Sequence, residues 1–161
     1  MQIEMTIKGL MVDPVTSLPI ILLRDSGGER VLPIWVGAFE ANAIALQIEN
    51  VSTPRPMTHD LLNNVIQGLN ASLEKVVVCE VKDSTFYALM HLRLPAGRVV
   101  VDARTSDAIA LALRASAPIF VDEDVIEEAK SLDFKPEQAD SARLQKWLES
   151  LNPEDLGKYK M

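Results

Sequence analysis

From its first residues the chain alternates. Ile3, Met5, Ile7 and Met11 fall on one side of an extended segment and Gln2, Glu4, Thr6 and Lys8 on the other, the period of two expected of a half-buried strand. Asp13-Pro14 marks a turn, and Leu18 to Leu23 is an apolar run of strand length. Asp25-Ser26-Gly27-Gly28-Glu29 has the chemistry of a hairpin turn, and a third strand follows from Val31 to Val36. Pro33 cannot donate to a ladder, so this strand belongs at a sheet edge or a bulge. After Gly37 the period lengthens. Ala41, Ile44, Ala45 and Ile48 predict a helix over 38–50, and Leu61, Leu62, Val65, Ile66 and Leu69 predict a second one beginning at Thr58. Ser52-Thr53-Pro54-Arg55-Pro56 is a rigid connector between them.

Leu73 to Val81 and Thr85 to Leu94 predict a hairpin around Lys82-Asp83-Ser84. In its second strand Phe86, Ala88, Met90, Leu92 and Leu94 share one face. Tyr87, Leu89, His91 and Arg93 share the other, a mixture that implies partial exposure or contact with another subunit. Cys79 alternates with Val77 and Val81 and reads as a small core residue. The β-branched run Val99-Val100-Val101 predicts a buried strand. It passes at once into a helix over 105–114, which Thr105 or Ser106 could cap through a side-chain hydroxyl. Residues 117–121 are extended, a short helix starts at Asp122 or Asp124 and runs to Lys130, and a polar linker covers 131–136. Ala142, Leu144, Trp147, Leu148 and Leu151 then predict an amphipathic helix over 139–151. The order of elements predicts an α+β fold, a single compact domain over 1–130 with a largely antiparallel mixed sheet flanked by helices. A C-terminal helical extension over 131–161 completes the chain.

Composition narrows the function classes. The 161 residues carry a net charge of −7, of which −5 falls in residues 122–161, where eleven acids meet six bases. No basic stripe suits tight nonspecific DNA binding, so a polynucleotide would have to be attracted by local arginines or bound cations. A single cysteine excludes an internal disulfide or a cysteine-based zinc site. No apolar run approaches the ~18 residues of a membrane span, and the N-terminus lacks the basic start of a signal peptide. A cytoplasmic location without a membrane partner is expected. P-loop, G-x-G-x-x-G, nucleophile-elbow and H-E-x-x-H patterns are absent.

The densest chemistry lies where the third valine gives way to a helix. Asp102, Arg104, Thr105, Ser106 and Asp107 stand within six residues, next to a helix start whose backbone N–H groups and dipole favour an anion. Two carboxylates beside an arginine can hold a divalent cation and clamp a phosphate. The same residues also fit a plain helix start, with Asp107 on the dipole and Asp102 paired to Arg104. Thr58-His59-Asp60 repeats the pattern at the second helix. A histidine there opposes the dipole if charged, so it is either neutral or kept for metal binding or general-base work.

Longer runs carry a resemblance. Leu32-Pro33-Ile34-Trp35-Val36-Gly37, Glu40-Ala41, Ala43-Ile44-Ala45-Leu46 and Pro54-Arg55-Pro56-Met57-Thr58-His59-Asp60-Leu61-Leu62 resemble the bifunctional nuclease family. So does Asp102-Ala103-Arg104-Thr105-Ser106-Asp107-Ala108-Ile109-Ala110-Leu111-Ala112-Leu113-Arg114, with Thr105 where family members often carry proline. The match spans about residues 1–130. It implies a small, usually oligomeric α+β domain cleaving both DNA and RNA. Carried over by position, it implies His59, Arg104 and Asp107 as catalytic residues and Glu40, Asp60, Asp102 and Asp107 as ligands of Mg²⁺ or Mn²⁺. The expected activity is hydrolysis of phosphodiester bonds, with nucleic acid as a transient partner and a homo-oligomer as the assembled form. The competing expectation is a non-enzymatic oligomeric binding or regulatory module with small-anion sites at helix N-termini. One geometric condition separates the readings: the helix starts at Thr58 and Thr105 must open into a common pocket.

Overall fold

The computed structural model describes residues 1–130. Seven strands and four helices follow in the order β1 (Gln2–Val12), β2 (Pro19–Asp25), β3 (Val31–Trp35), α1 (Ala38–Ile48), α2 (Thr58–Gly68), β4 (Ser72–Lys82), β5 (Thr85–Leu94), β6 (Gly97–Arg104), α3 (Thr105–Ala115), β7 (Ile119–Asp122) and α4 (Glu123–Ala129). This is an α+β domain built on one mixed sheet, ordered β3-β2-β1-β7-β4-β5-β6. The predicted helix over 139–151, and with it the C-terminal extension, lies outside the described residues.

The sheet grows from two local units. In the first, β1, β2 and β3 pair antiparallel in sequence order. Asp13 organises the β1–β2 turn: its Oδ1 accepts from the Val15 N–H at 2.9 Å and its Oδ2 from Trp35 Nε1 at 2.9 Å. The β2–β3 turn needs Gly28, whose φ is +74° and whose missing side chain leaves room for the Arg24 guanidinium. Arg24 donates from Nε and Nη2 to the Gly28 carbonyl. In the second unit β4, β5 and β6 form another antiparallel meander. Asp83 and Ser84 both take positive φ, as a two-residue loop between the paired Lys82 and Thr85 demands. Strand β7 then enters between the units, antiparallel to β1 and parallel to β4.

Helix α3 lies against β4, β5 and β6, and α1 and α2 pack against it. Ala108 to Ala112 are all buried, so this helix sits inside the domain rather than on it. Ile21, Leu23, Ile34, Ile44, Val76, Val78, Ile109 and Leu111 belong to the common core. Pro33 does fall on an edge strand, β3.

Three sequence expectations change. Val99, Val100 and Val101 are 45%, 51% and 36% exposed rather than buried, because β6 is the far edge of the sheet. Cys79 is half-buried: a register shift between Val78 and Glu80 breaks the alternation there, and its thiol donates weakly to the Tyr87 carbonyl at 3.6 Å. Neither Thr105 nor Ser106 caps α3. Arg104 is the N-cap residue, both hydroxyl residues lie buried inside the first turn, and Thr105 Oγ1 has no hydrogen-bond partner among the described residues.

Candidate functional site

All three long helices on this side begin alike. Each has an acid at its third position: Glu40 in α1, Asp60 in α2 and Asp107 in α3. A carboxylate there complements the positive end of the helix dipole. The three differ in what else they hold, and this decides the site.

Asp107 is the hub. Its Oδ1 lies 2.9 Å from His59 Nε2, which joins the starts of α2 and α3. Arg104 donates to it twice, from Nε at 2.7 Å and from Nη2 at 3.0 Å, and reaches Glu40 Oε1 from Nη1 at 2.9 Å. His59, Asp107, Arg104 and Glu40 are therefore one connected chain of side chains from three helix starts. They line a pocket of about 740 Å³ with Asn42, Met57, Leu62, Met90 and Asp102. The helix starts at Thr58 and Thr105 do meet.

Gly37 makes the Glu40 arm possible. A Cβ at residue 37 would lie 2.3 Å from Glu40 Oε2, although the backbone there suits any residue. Gly37→Ala should therefore fold with a stability change below about 1 kcal/mol, since the carboxylate is the end of a flexible chain and its partner Arg104 is exposed. The variant's crystal structure should show Glu40 displaced from Arg104. An unmoved Glu40 would contradict the contact.

Charge in the site follows from these bonds. Partial burial pushes the Asp107 carboxyl up, but hydrogen bonds from Arg104 and His59 and their nearby charge outweigh it and hold the group below its ordinary 3.8. Hydrogen bonding to Asp107 and Glu40 raises the Arg104 guanidinium further. Asp107 is thus ionised and can only accept, which assigns the proton to His59 Nε2 when the ring is neutral and leaves Nδ1 as the basic nitrogen. The folded chain also binds the Asp107 proton less readily than the unfolded chain. Its stabilisation is complete above the unfolded carboxylate value and fades as pH falls through the lower folded one. Asp107→Asn should flatten the acid limb of a urea-midpoint profile below about pH 5. An unchanged limb would show that this carboxylate is not linked to stability.

The expected metal ligands do not gather. Asp60 faces another way: its Oδ1 accepts from Arg114 Nε at 2.6 Å, its Oδ2 accepts from the Met57 N–H at 2.9 Å, and it lines a separate pocket beside the 51–56 connector. Glu40 and Asp107 both close on Arg104, whose guanidinium lies where a shared ion would need to be. Asp102 lines the pocket but has no ion pair among the described residues. Nor, among those residues, are any three His, Cys, Asp or Glu side chains grouped to hold a metal. A hard cation needs several oxygens facing one point, so the residues as placed do not fit a resident Mg²⁺ or Mn²⁺.

Some residues of the site escaped the sequence. Arg114 donates to the Ala110 and Ala43 carbonyls as well as to Asp60, and so ties α3 to α1 and α2. Its signal was a single charge closing the apolar run Ala108 to Leu113. Asn42 lines the pocket with a buried amide oxygen that has no partner among the described residues. Phe39, at the rim, is 88% exposed. Phe39 falls off the helical face that buries Ala41, Ile44 and Ala45, and its exposure follows from that spacing.

Fold and site together define an α+β domain whose linked histidine, aspartate and arginine open into one broad pocket. The Bifunctional nuclease domain model matches residues 21–133, and the chain belongs to that family. It is 39% identical over 163 aligned residues to an uncharacterized protein of Mycobacterium tuberculosis strain H37Rv, covering 95% of this chain and 97% of that one. Bifunctional nuclease 1 of Oryza sativa subsp. indica is 24% identical over 105 residues, which cover 63% of this chain and 32% of the rice protein. No helix among the described residues is long and apolar enough to cross a membrane.

Proposed function

We propose that the protein hydrolyses phosphodiester bonds in DNA or RNA at the pocket where α2 and α3 begin. The carrying observation is the 2.9 Å bond between His59 Nε2 and Asp107 Oδ1, with Arg104 braced beside it. Asp107 holds the imidazole in the tautomer whose Nδ1 can accept a proton. Water attacks phosphorus as His59 takes one of its protons. The bond from phosphorus to the ester oxygen breaks, and the leaving oxygen takes a proton from solvent. Arg104 exchanges its carboxylate partners for the phosphate oxygens as negative charge builds on them. Phe39 offers a face on which an unpaired base can stack, a mode that favours single strands and suits a chain with no basic stripe. Glu40 and Asp107 otherwise offset Arg104, so attraction between site and phosphate is modest until that exchange occurs.

The test is cleavage of single-stranded RNA and DNA by purified protein, His59→Ala and Arg104→Lys, in parallel reactions with Mg²⁺, Mn²⁺ and chelator. Both variants should lose activity while staying folded. Equal cleavage by wild type and variants would assign the activity to a contaminant. Absence of cleavage under every condition would favour the binding-module reading, in which the same side chains simply fix three helix starts to one another.

A further inference from the structure

Beside the pocket of His59 and Asp107 lies a second cavity of about 410 Å³. The ends of both edge strands stand in its wall, Ile34 and Trp35 of β3 and Arg104 of β6. The two cavities share Glu40 and Arg104, so the ion pair between these side chains, 2.9 Å from Nη1 to Oε1, divides one from the other. Two helices begin in the same wall, α1 with Gly37 as its N-cap residue and α3 with Arg104. Neither start receives a side-chain cap among the described residues. At α2, by contrast, Asp60 Oδ2 accepts from the Met57 N–H at 2.9 Å, and no residue of α2 lines this cavity. Two open helix starts thus present N–H groups and the positive ends of two dipoles to one space.

The first residue of α3 adds a cost that the fold alone does not explain. Thr105 is only 4% exposed and lines the cavity, yet its hydroxyl has no partner among the described residues. A buried hydroxyl without a partner destabilises, and valine would fill the same volume without it. Ser106, Ser84 and Thr85 bring further hydroxyls to the wall. Glu40 is the one acid in this wall among the described residues, and its Oε1 is already held by Arg104.

We propose that this cavity binds a phosphate group, and that in a nucleic acid strand it takes the phosphate next to the one being cleaved. N–H groups at the starts of α1 and α3 and the hydroxyls of Thr105 and Ser106 donate to its oxygens, and Arg104 stands between the two phosphates. Two such contacts fix the register of the strand and carry no base preference. The strand as the source of the phosphate rests on the reading of the first pocket as a hydrolytic site, whereas the phosphate site itself does not.

Inorganic phosphate titrated into the isotope-labelled full chain should shift the NMR amide signals of Gly37, Thr105 and Ser106. Thr105→Val should weaken that binding about tenfold or more, the loss expected of one hydrogen bond to a charged group, and without phosphate should melt no lower than wild type. Thr105→Ser keeps the hydroxyl and should keep the affinity. In a His59→Ala background, which removes the proposed general base, trithymidylate should bind about tenfold tighter than dithymidylate, and adding Thr105→Val should erase that gain. Phosphate shifts confined to His59 and Asp107, or equal affinity of Thr105→Val and wild type, would overturn the site. Binding of inorganic phosphate with no gain from the second internal phosphate of trithymidylate would overturn its assignment to the strand. Cleavage can be lost while phosphate still binds here, and the reverse, so the two sites are tested separately.

Discussion

Replacing Arg114 with methionine will destabilise the domain by about 3 kcal/mol, the lower end of what breaking a buried ion pair costs. The Arg114 side chain is only 5% exposed and the Asp60 carboxylate 33%, so the pair is buried on one side and wetted on the other. Three helices depend on this one guanidinium. It bonds Asp60 near the start of α2, the Ala43 carbonyl in α1 and the Ala110 carbonyl one turn back in α3. Methionine fills much of the volume and answers none of these acceptors. Asp60 would keep its bond from the Met57 N–H, so α2 should remain helical while its docking on α3 loosens. Urea denaturation followed by circular dichroism measures the loss. A change under about 1 kcal/mol would show that the carbonyls find water instead, and that packing alone fixes the three helices.

Arg104 lies ten residues earlier and should behave in the opposite way. Arg104→Lys will lower cleavage about 10²- to 10³-fold, the usual cost of removing one preorganised donor to a developing anion, and will leave stability nearly unchanged. Its side chain is 65% exposed, and exposed ion pairs contribute about 0–1 kcal/mol. Lysine keeps the charge but not the planar fork that holds Asp107 by two nitrogens and Glu40 by a third. His59→Ala should cost about 10²- to 10⁴-fold for removal of the general base. A kcat that is unaffected in both variants, with cleavage that copurifies with the wild-type fold, would place the chemistry elsewhere in the molecule.

This division between two arginines shows what a sequence can and cannot reveal. Periodicity located the strands and helices because each buries one face, and it placed β5 at Thr85–Leu94 and the start of α2 at Thr58. The meeting of His59 with Asp107 was foreshadowed by the matching helix starts Thr58-His59-Asp60 and Thr105-Ser106-Asp107 that carry them. Direction was not legible. Asp60 and Asp107 occupy the same third helical position, yet Asp60 faces Arg114 and Asp107 faces the pocket. Only the packing of α2 on α3 determines which does which. The valines of β6 were misjudged for a related reason. β-branched composition reports a pleated environment, and it does not report whether a strand has a neighbour on both sides. Cys79 was misjudged because a bulge shifts alternation by one residue without altering the amino acids around it.

The late arrival of β7 has a consequence for how the chain is made. Residues 1–35 and 72–104 each contain a complete meander, but only Ile119–Asp122 hydrogen-bonds to both. As the chain is made, the seam between the two meanders waits for the four residues of β7. Until then Met5 and Val76, each a partner of Ile119, look onto an open gap, and two further unpaired edges are free to find the wrong neighbour. The domain therefore becomes a single body only once β7 is in place.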